Sequence, residues 1–593
     1  MSHRVLMVVL CGVIIVNALS FTAYAAIALP SSDAWFFIDT FARKALAGNL
    51  QLVDFFAQRH AGDHSQPLHR LVLLAHLWLA DLDFRIEALV GVVLAILTCA
   101  LLARSLFAGA NTSDQRRRAW WGSASIFAVG LSLNSTMTYT WSLVGLIWIS
   151  LLVAVLYWRA VSTSLPARKY VPLMSALTFL VAMVTDELAF PIFAAALAAI
   201  LALDGVTTQR RASWLLLSGG IALLAARLAM DAMGGAAAAA TGGSLSQLEQ
   251  TLRSPDAWKI VVGPLADSLV HQQHLVAWFP RSSVAIQVLV AIVLLVLHAL
   301  FWWRVFTPRD RPGGHALVLA VACMLFFYAS VAGIALSRLG EFGIDYVHQP
   351  RYVVVFALNV IALLLLFFAP ASDAGTPPVR RWERRLGGTF AVGVLLLQAP
   401  LSYAAWSEGP FVRQYARSAA VALAGVARDP ASDAAAASCP PILRVCNAPA
   451  DVRARMISLL REHGLSIFSA RFRAAHGLEA LDLDQGPRRS VARPASTPIN
   501  CGFEILKRAP MQVPMDGTFR PNGRSAFWMT VPPATPAFHI EFEGRPVAMS
   551  RRGGVATFLY DERQAQAVRA GRPLRFAVLC SGKQVAAFEV AVR

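Results

Sequence analysis

Ser283 to Trp303 reads SVAIQVLVAIVLLVLHALFWW and holds no Asp, Glu, Lys or Arg. A run of about 20 apolar residues is long enough to cross the hydrocarbon core of a bilayer as a helix. Further runs of this kind start near Val5, Phe84, Trp120, Val144, Val171, Leu188, Trp214, Ala316, Tyr352 and Thr389, which makes eleven in all. Composition agrees: 56% of the 593 residues are hydrophobic and 15% charged, against roughly 25% charged in an ordinary soluble domain. The chain therefore reads as a polytopic, mainly α membrane protein and not as a soluble globular one.

Lys and Arg in short loops resist translocation, so they orient the helices. Five clusters stand between the apolar runs: Arg116 to Arg118, Arg168 with Lys169, Arg210 with Arg211, Arg304 with Arg309 and Arg311, and Arg380 with Arg381, Arg384 and Arg385. With eleven helices and the N-terminus inside, all five fall on the cytoplasmic side. Thr185 to Glu187 interrupts one apolar stretch, which is read as two short helices. Ala23-Tyr24-Ala25 looks like a signal cleavage site, but the apolar run before it exceeds the usual length of about 7–15 residues. An uncleaved first helix is expected. This orientation places the loop 31–70 and the tail from Glu408 onward outside.

The expected divisions are a membrane domain over 1–407, a helical linker region over 408–496 and a β-sandwich over 497–593, the last two extracytoplasmic. Asp451 to His463 reads as an amphipathic helix, with Asp451 able to cap it and Gly464 to end it. From about Thr497 short alternating runs appear, such as Phe538-His-Ile-Glu-Phe and Leu574-Arg-Phe-Ala-Val, punctuated by Gly and Pro. Cys11, Cys99 and Cys323 lie in membrane helices, whereas Cys439, Cys446, Cys501 and Cys580 all lie in the tail. The pairing expected is Cys439–Cys446 and Cys501–Cys580, in an oxidising compartment.

No phosphate-cradling Gly-rich loop is present, which argues against a cytoplasmic nucleotide enzyme. Ionisable residues concentrate instead at the outer ends of helices, where they default to functional candidates. The first outer loop is the richest, opening with Ser31-Ser-Asp33-Ala-Trp35-Phe-Phe-Ile-Asp39 and closing with Asp63-His64-Ser-Gln-Pro-Leu-His69-Arg70. Phe41 to Ala57 between them reads as an amphipathic interfacial helix. Asp33 at a lipid boundary, partly desolvated under aromatic residues, suits a general base, with Asp63 and His64 facing it. The plain alternative makes Asp33 and Asp63 solvated helix caps and Trp35 an interface anchor. Asp186 and Glu187 read equally as ligands for sugar hydroxyls or a cation and as a solvated turn. His271 and His274 read as surface residues.

The order apolar helix, D-x-W, amphipathic stretch, (E/D)-H and P-L-x-R resembles the first outer loop of bacterial polytopic glycosyltransferases of the GT-C type. The likeness covers roughly Met1 to Trp406 and extends to Arg351-Tyr352, similar to an R-Y pair where a late membrane helix begins. Two positions depart from the commoner pattern: Ser32 precedes Asp33, and Asp63-His64-Ser65 stands where Glu-His-Arg is usual. The resemblance implies a sugar donor linked to polyprenyl phosphate and an extracytoplasmic glycan or glycolipid acceptor. It implies inverting transfer, with Asp33, Asp63 and His64 as catalytic residues. Asp39, Arg70, Asp186, Glu187, His348, Arg351 and Tyr352 would bind substrate. A divalent cation, Mg or Mn, on Asp33 and Asp63 is left open. The chain would sit in the bacterial inner membrane with its tail in the periplasm, and nucleic acid is not among the expected partners. The alternatives are a flippase for a lipid-linked saccharide and a non-catalytic subunit of an envelope polysaccharide system.

Overall fold

The computed structural model describes residues 3–57, 66–162, 166–185, 188–203, 206–234, 249, 252–279, 281–307, 315–370, 381–432, 439–440, 442–481, 483, 507–508, 526–530, 538–547, 549–552, 555–559, 562–570, 572–580 and 582–590. The chain divides into two compact units. The first comprises Met1–Ala26, Gly48–Ala75 and Arg85–Ser407; the second comprises Ile27–Ala47, His76–Phe84 and Glu408–Arg593.

All eleven apolar stretches are helical: His3–Ala25, Phe84–Phe107, Ser113–Gly130, Ile147–Val161, Ala167–Thr185, Ala189–Leu203, Val206–Gly234, Ser283–Phe306, His315–Ile334, Val353–Phe368 and Arg381–Arg428. Among the described residues, eight helices are long and apolar enough to cross a membrane, fewer than the eleven expected. The other three fall short for local reasons. Ser113–Gly130 spends its first turns on Asp114, Gln115 and Arg116 to Arg118. Ala167–Thr185 opens on Arg168 and Lys169. Ala189–Leu203 has 15 residues, about 22 Å at 1.5 Å per residue, against roughly 30 Å of hydrocarbon.

Val353–Phe368 is apolar on every side except at Asn359, and each of its residues is buried. A helix hydrophobic all round belongs in the middle of a bundle. It packs on His315–Ile334 and Ser113–Gly130. Gly122 permits that second approach, because a Cβ there would lie 2.7 Å from Phe368 Cβ. Asn359 Nδ2 donates locally to the Phe356 carbonyl at 2.8 Å. Other helices turn large apolar side chains outward. Leu217, Ile221, Leu224 and Leu228 form one stripe, each 60–67% exposed. Such a stripe is unfavourable in water and favourable in lipid, so this part of the chain is built for a bilayer.

In the second unit, Arg453 is buried and donates to the carbonyls of Pro430 at 2.5 Å, Ala448 at 2.9 Å and Cys446 at 3.2 Å. A buried guanidinium needs its donors occupied, and this one joins two loop segments, at Pro430 and at Cys446 to Ala448. Arg453 lies on the helix Ala450–Glu462, which starts one residue before the expected position with Pro449, not Asp451, at its N-cap. Asp451 instead sits in the first turn, where the helix dipole favours a carboxylate. Met456, Ile457 and Leu460 bury one face, and Gly464, with φ +60°, ends the helix. Asp81 and Leu82 also adopt positive φ, +48° and +57°. That strained turn is held by the Ser466 N–H on Asp81 O at 2.7 Å and Ser469 Oγ on Asp81 Oδ2 at 2.9 Å.

Arg381–Arg428 runs unbroken for 48 residues, through the division of the two units between Ser407 and Glu408. Beyond it, among the described residues, eight strands form two four-stranded antiparallel sheets. β1 (Lys507–Arg508), β2 (Ala526–Thr530), β6 (Val555–Leu559) and β5 (Met549–Arg552) lie in the order β1-β2-β6-β5. β4 (Arg545–Val547), β3 (Phe538–Phe542), β7 (Leu574–Cys580) and β8 (Lys583–Val590) lie in the order β4-β3-β7-β8. Alternation is plain in β3 and β7, where Phe538, Ile540, Phe542, Leu574, Phe576, Val578 and Cys580 are buried. The helix Glu562–Arg569 packs on β7. Cys439 and Cys446 form a disulfide. Cys580 is also disulfide-bonded, and its expected partner Cys501 lies outside the described residues.

Candidate functional site

Two groups of site residues are described: Asp33 and Asp39 lie in the second unit, and Arg70 and the second group in the first. The first is the start of the outer loop. Its helix begins at Ala34 and continues through a π turn, Ile38–Ala42, to Leu46. Phe41 to Ala57 is therefore not one interfacial helix: the chain leaves the helix through Gly48 at φ +70° and makes only a short 3-10 turn at Leu52–Phe55. Periodicity alone could not reveal that break. Ser31, Ala34 and Trp35 are buried, so Trp35 is core and not an interface anchor.

Asp33 occupies the N-cap position, but its side chain makes no capping bond. Its side chain is 22% exposed and pairs with Arg444 Nη1 at 2.6 Å. Asp39, in the π turn, accepts from Arg455 Nε at 3.0 Å and Nη2 at 3.2 Å, a bidentate contact. Arg70 was expected to help seat a phosphate. It is buried, and its guanidinium donates to the carbonyls of Phe55, at 2.6 Å, and Ala57. Asp63, His64, Asp186 and Glu187 lie outside the described residues.

The second group lies in the first unit, where three chain segments converge. Asn134 is the junction. Its Nδ2 donates to Asp267 O at 2.8 Å, its Oδ1 accepts the His271 N–H at 2.7 Å, and its carbonyl accepts from His274 Nε2 at 3.0 Å. His271 and His274 are 1% and 3% exposed, which corrects their reading as surface residues. The overlooked signal is Asp267, fully buried, which stands four residues before His271 and seven before His274.

Asp267 Oδ2 accepts from His348 Nδ1 at 2.7 Å, and Oδ1 accepts the Gln272 N–H at 2.8 Å. His271 Nδ1 accepts from the Gln273 N–H at 3.3 Å, so its proton sits on Nε2, which donates to His348 O at 2.8 Å. Burial pushes the Asp267 carboxyl up, but the adjacent His348 and His271 and the hydrogen bonds it accepts outweigh burial and hold it below the usual carboxylate range. His348 is 7% exposed, and its Nε2 is buried with no hydrogen-bond partner among the described residues. Gly263 packs against that edge of the ring; a Cβ there would lie 2.8 Å from Cε1 and 3.3 Å from Nε2.

Three residues further on, the Arg351 guanidinium lies over the rings of Tyr346 at 5.3 Å and Tyr352 at 5.1 Å. It donates to the Tyr346 hydroxyl and, at 3.4 Å, to that of Tyr352. Phe342 stacks on Tyr346 with centroids 4.6 Å apart. Lys259 pairs with Asp345 at 3.0 Å and Asp256 at 3.4 Å. The stretch from Phe342 to Tyr352 thus offers a guanidinium framed by aromatic faces, chemistry suited to an anionic group attached to an apolar chain.

Among the described residues no group of three or more His, Cys, Asp and Glu side chains is arranged to hold a metal ion. Comparison of the chain with protein-family models, curated proteins and solved structures finds no match.

Proposed function

We propose that this chain is a membrane glycosyltransferase that moves a sugar from a polyprenyl-phosphate donor to an extracytoplasmic glycan or glycolipid. The acceptor oxygen bonds to the anomeric carbon with inversion, and its proton passes to Asp33. The bond from that carbon to the phosphate oxygen breaks, and polyprenyl phosphate leaves with the electron pair. A cationic seat makes that departure easier. The observation that carries the reading is the state of Asp33. Its carboxylate follows directly after the first membrane-length helix, on a loop fixed by buried Ser31, Ala34 and Trp35, yet it stays accessible. The test is transfer from a polyprenyl-phosphate sugar by the purified protein in nanodiscs. Turnover is the expected result. A protein that transfers from no such donor would return the reading to a flippase.

Orientation has support from the second unit. Ser32 N–H donates to Ile442 O at 2.8 Å, and Asp33 pairs with Arg444, so the first outer loop and the tail share one side of the bilayer. An even number of crossings must then separate them. Seven of the eight long apolar helices lie between the loop and Arg428, so the shorter helices supply an odd number of crossings. All three crossing, as in the eleven-helix reading, meets this condition. The Cys439–Cys446 disulfide favours an oxidising compartment for the tail. Reporter fusions are expected to show alkaline phosphatase activity at Arg593 and none near Arg381. The opposite pattern would overturn this topology and place Asp33 in the cytoplasm.

A further inference from the structure

The loop that carries Arg444 is unusually well anchored for one that ends in an exposed side chain. Cys439 and Cys446 close it covalently. Leu443 and Val445 are buried on either side of Arg444. Leu443 N–H donates to Pro440 O at 2.9 Å, and Cys446 N–H to Leu443 O at 3.0 Å. Arg453 holds the Cys446 carbonyl from below, at 3.2 Å. At the rim of this loop, Ile442 O accepts the N–H of Ser32, a residue at φ +48°, and Arg444 Nη1 meets Asp33 Oδ1 at 2.6 Å. Two consecutive residues of the outer loop are therefore registered against a disulfide-closed segment of the tail.

The ion pair is not what holds the tail in place. Its side chains are 60% and 22% exposed, and exposed pairs contribute about 0–1 kcal/mol. The rigid parts are the disulfide, the buried Leu443 and Val445, and the Ser32–Ile442 bond. Arg444 is thus a small, replaceable contact presented by a stiff frame to the accessible carboxylate.

We infer that Arg444 is a positioning residue for Asp33, and that the Cys439–Cys446 disulfide sets it in place. The inference rests on the reading of Asp33 as the base. Arg444 fixes one orientation of the carboxylate, and the disulfide holds the Arg444 backbone at the matching distance. Oxidation of this loop in the outer compartment then becomes a condition for full turnover.

The experiment is a double-mutant cycle on transfer by the full-length protein. Arg444→Ala changes an exposed side chain and leaves folding intact. It is expected to lower kcat about 10–100-fold, the usual cost of misplacing a reacting group, with KM little changed. Arg444→Lys is expected to recover most of the loss, because one nitrogen makes the contact. Cys439→Ser with Cys446→Ser is expected to lower kcat similarly, and adding Arg444→Ala to that pair to lower it little more. Wild-type kcat in Arg444→Ala, no recovery with Lys, or losses that multiply across the cycle would overturn the clamp. Failure of the underlying reading looks different: Asp33→Asn itself would then transfer at the wild-type rate.

Discussion

Asp33→Asn is expected to reduce sugar transfer about 10²–10⁴-fold, the range typical of losing a general base, while the protein folds and inserts normally. The substitution preserves shape and removes the charge that accepts the acceptor proton. Its structural cost is small. The Asp33 side chain makes no capping bond, and in its pair with Arg444 the arginine is 60% exposed, so losing that pair costs about 0–1 kcal/mol. The neighbours that define the loop, Ser31, Ala34 and Trp35, are buried and untouched. The measurement pairs initial transfer rate with thermal stability and size-exclusion profile of the same preparation. An Asn variant that folds and transfers at the wild-type rate would remove Asp33 from the chemistry and leave it as a minor contact between loop and tail. A variant that is inactive but also unstable would contradict the claim that its role is chemical.

Different parts of the molecule were legible in the sequence to different degrees, and the division follows the range of the interactions. Helices set by long apolar runs could be read directly, because a run such as Ser283 to Trp303 has no other stable backbone state in hydrocarbon. Strands such as Phe538–Phe542 were visible from alternation over a few residues, whereas the short β4 and β5 have too few residues for a period to show. Phe41 to Ala57 failed as a helix because apolar spacing does not register a left-handed turn at Gly48. The partner of Asp33 stands 411 residues away, and no local pattern carries such a pair. His271 and His274 were misread for a subtler reason. Polar residues at a loop between membrane helices look solvated by default, and only the junction at Asn134 shows that this loop turns inward.

Asp267→Ala is expected to destabilise the first unit by about 1–3 kcal/mol, the cost of leaving buried donors without their acceptor. The carboxylate is fully buried and accepts from His348 Nδ1 and from the Gln272 N–H. Alanine leaves both donors unmet, while the bond from Asn134 to the main-chain carbonyl of residue 267 is kept. Asp267→Asn keeps the volume and one acceptor oxygen, so its cost should be smaller. The pH dependence has a definite sign. The folded carboxyl lies below its ordinary value, with His348 and His271 outweighing the opposing effect of burial. Its contribution is therefore complete above the ordinary carboxylate range, about pH 4, and fades as pH falls through the lower folded value. Thermal unfolding in detergent between about pH 3 and pH 7 checks both points. The gap in Tm between wild type and Asp267→Asn should be widest at neutral pH and close on acidification. A gap that stays constant, or widens toward low pH, would mean that Asp267 is not held as a carboxylate by its histidines. The cluster would then be a neutral hydrogen-bonded plug and not one organised around a carboxylate.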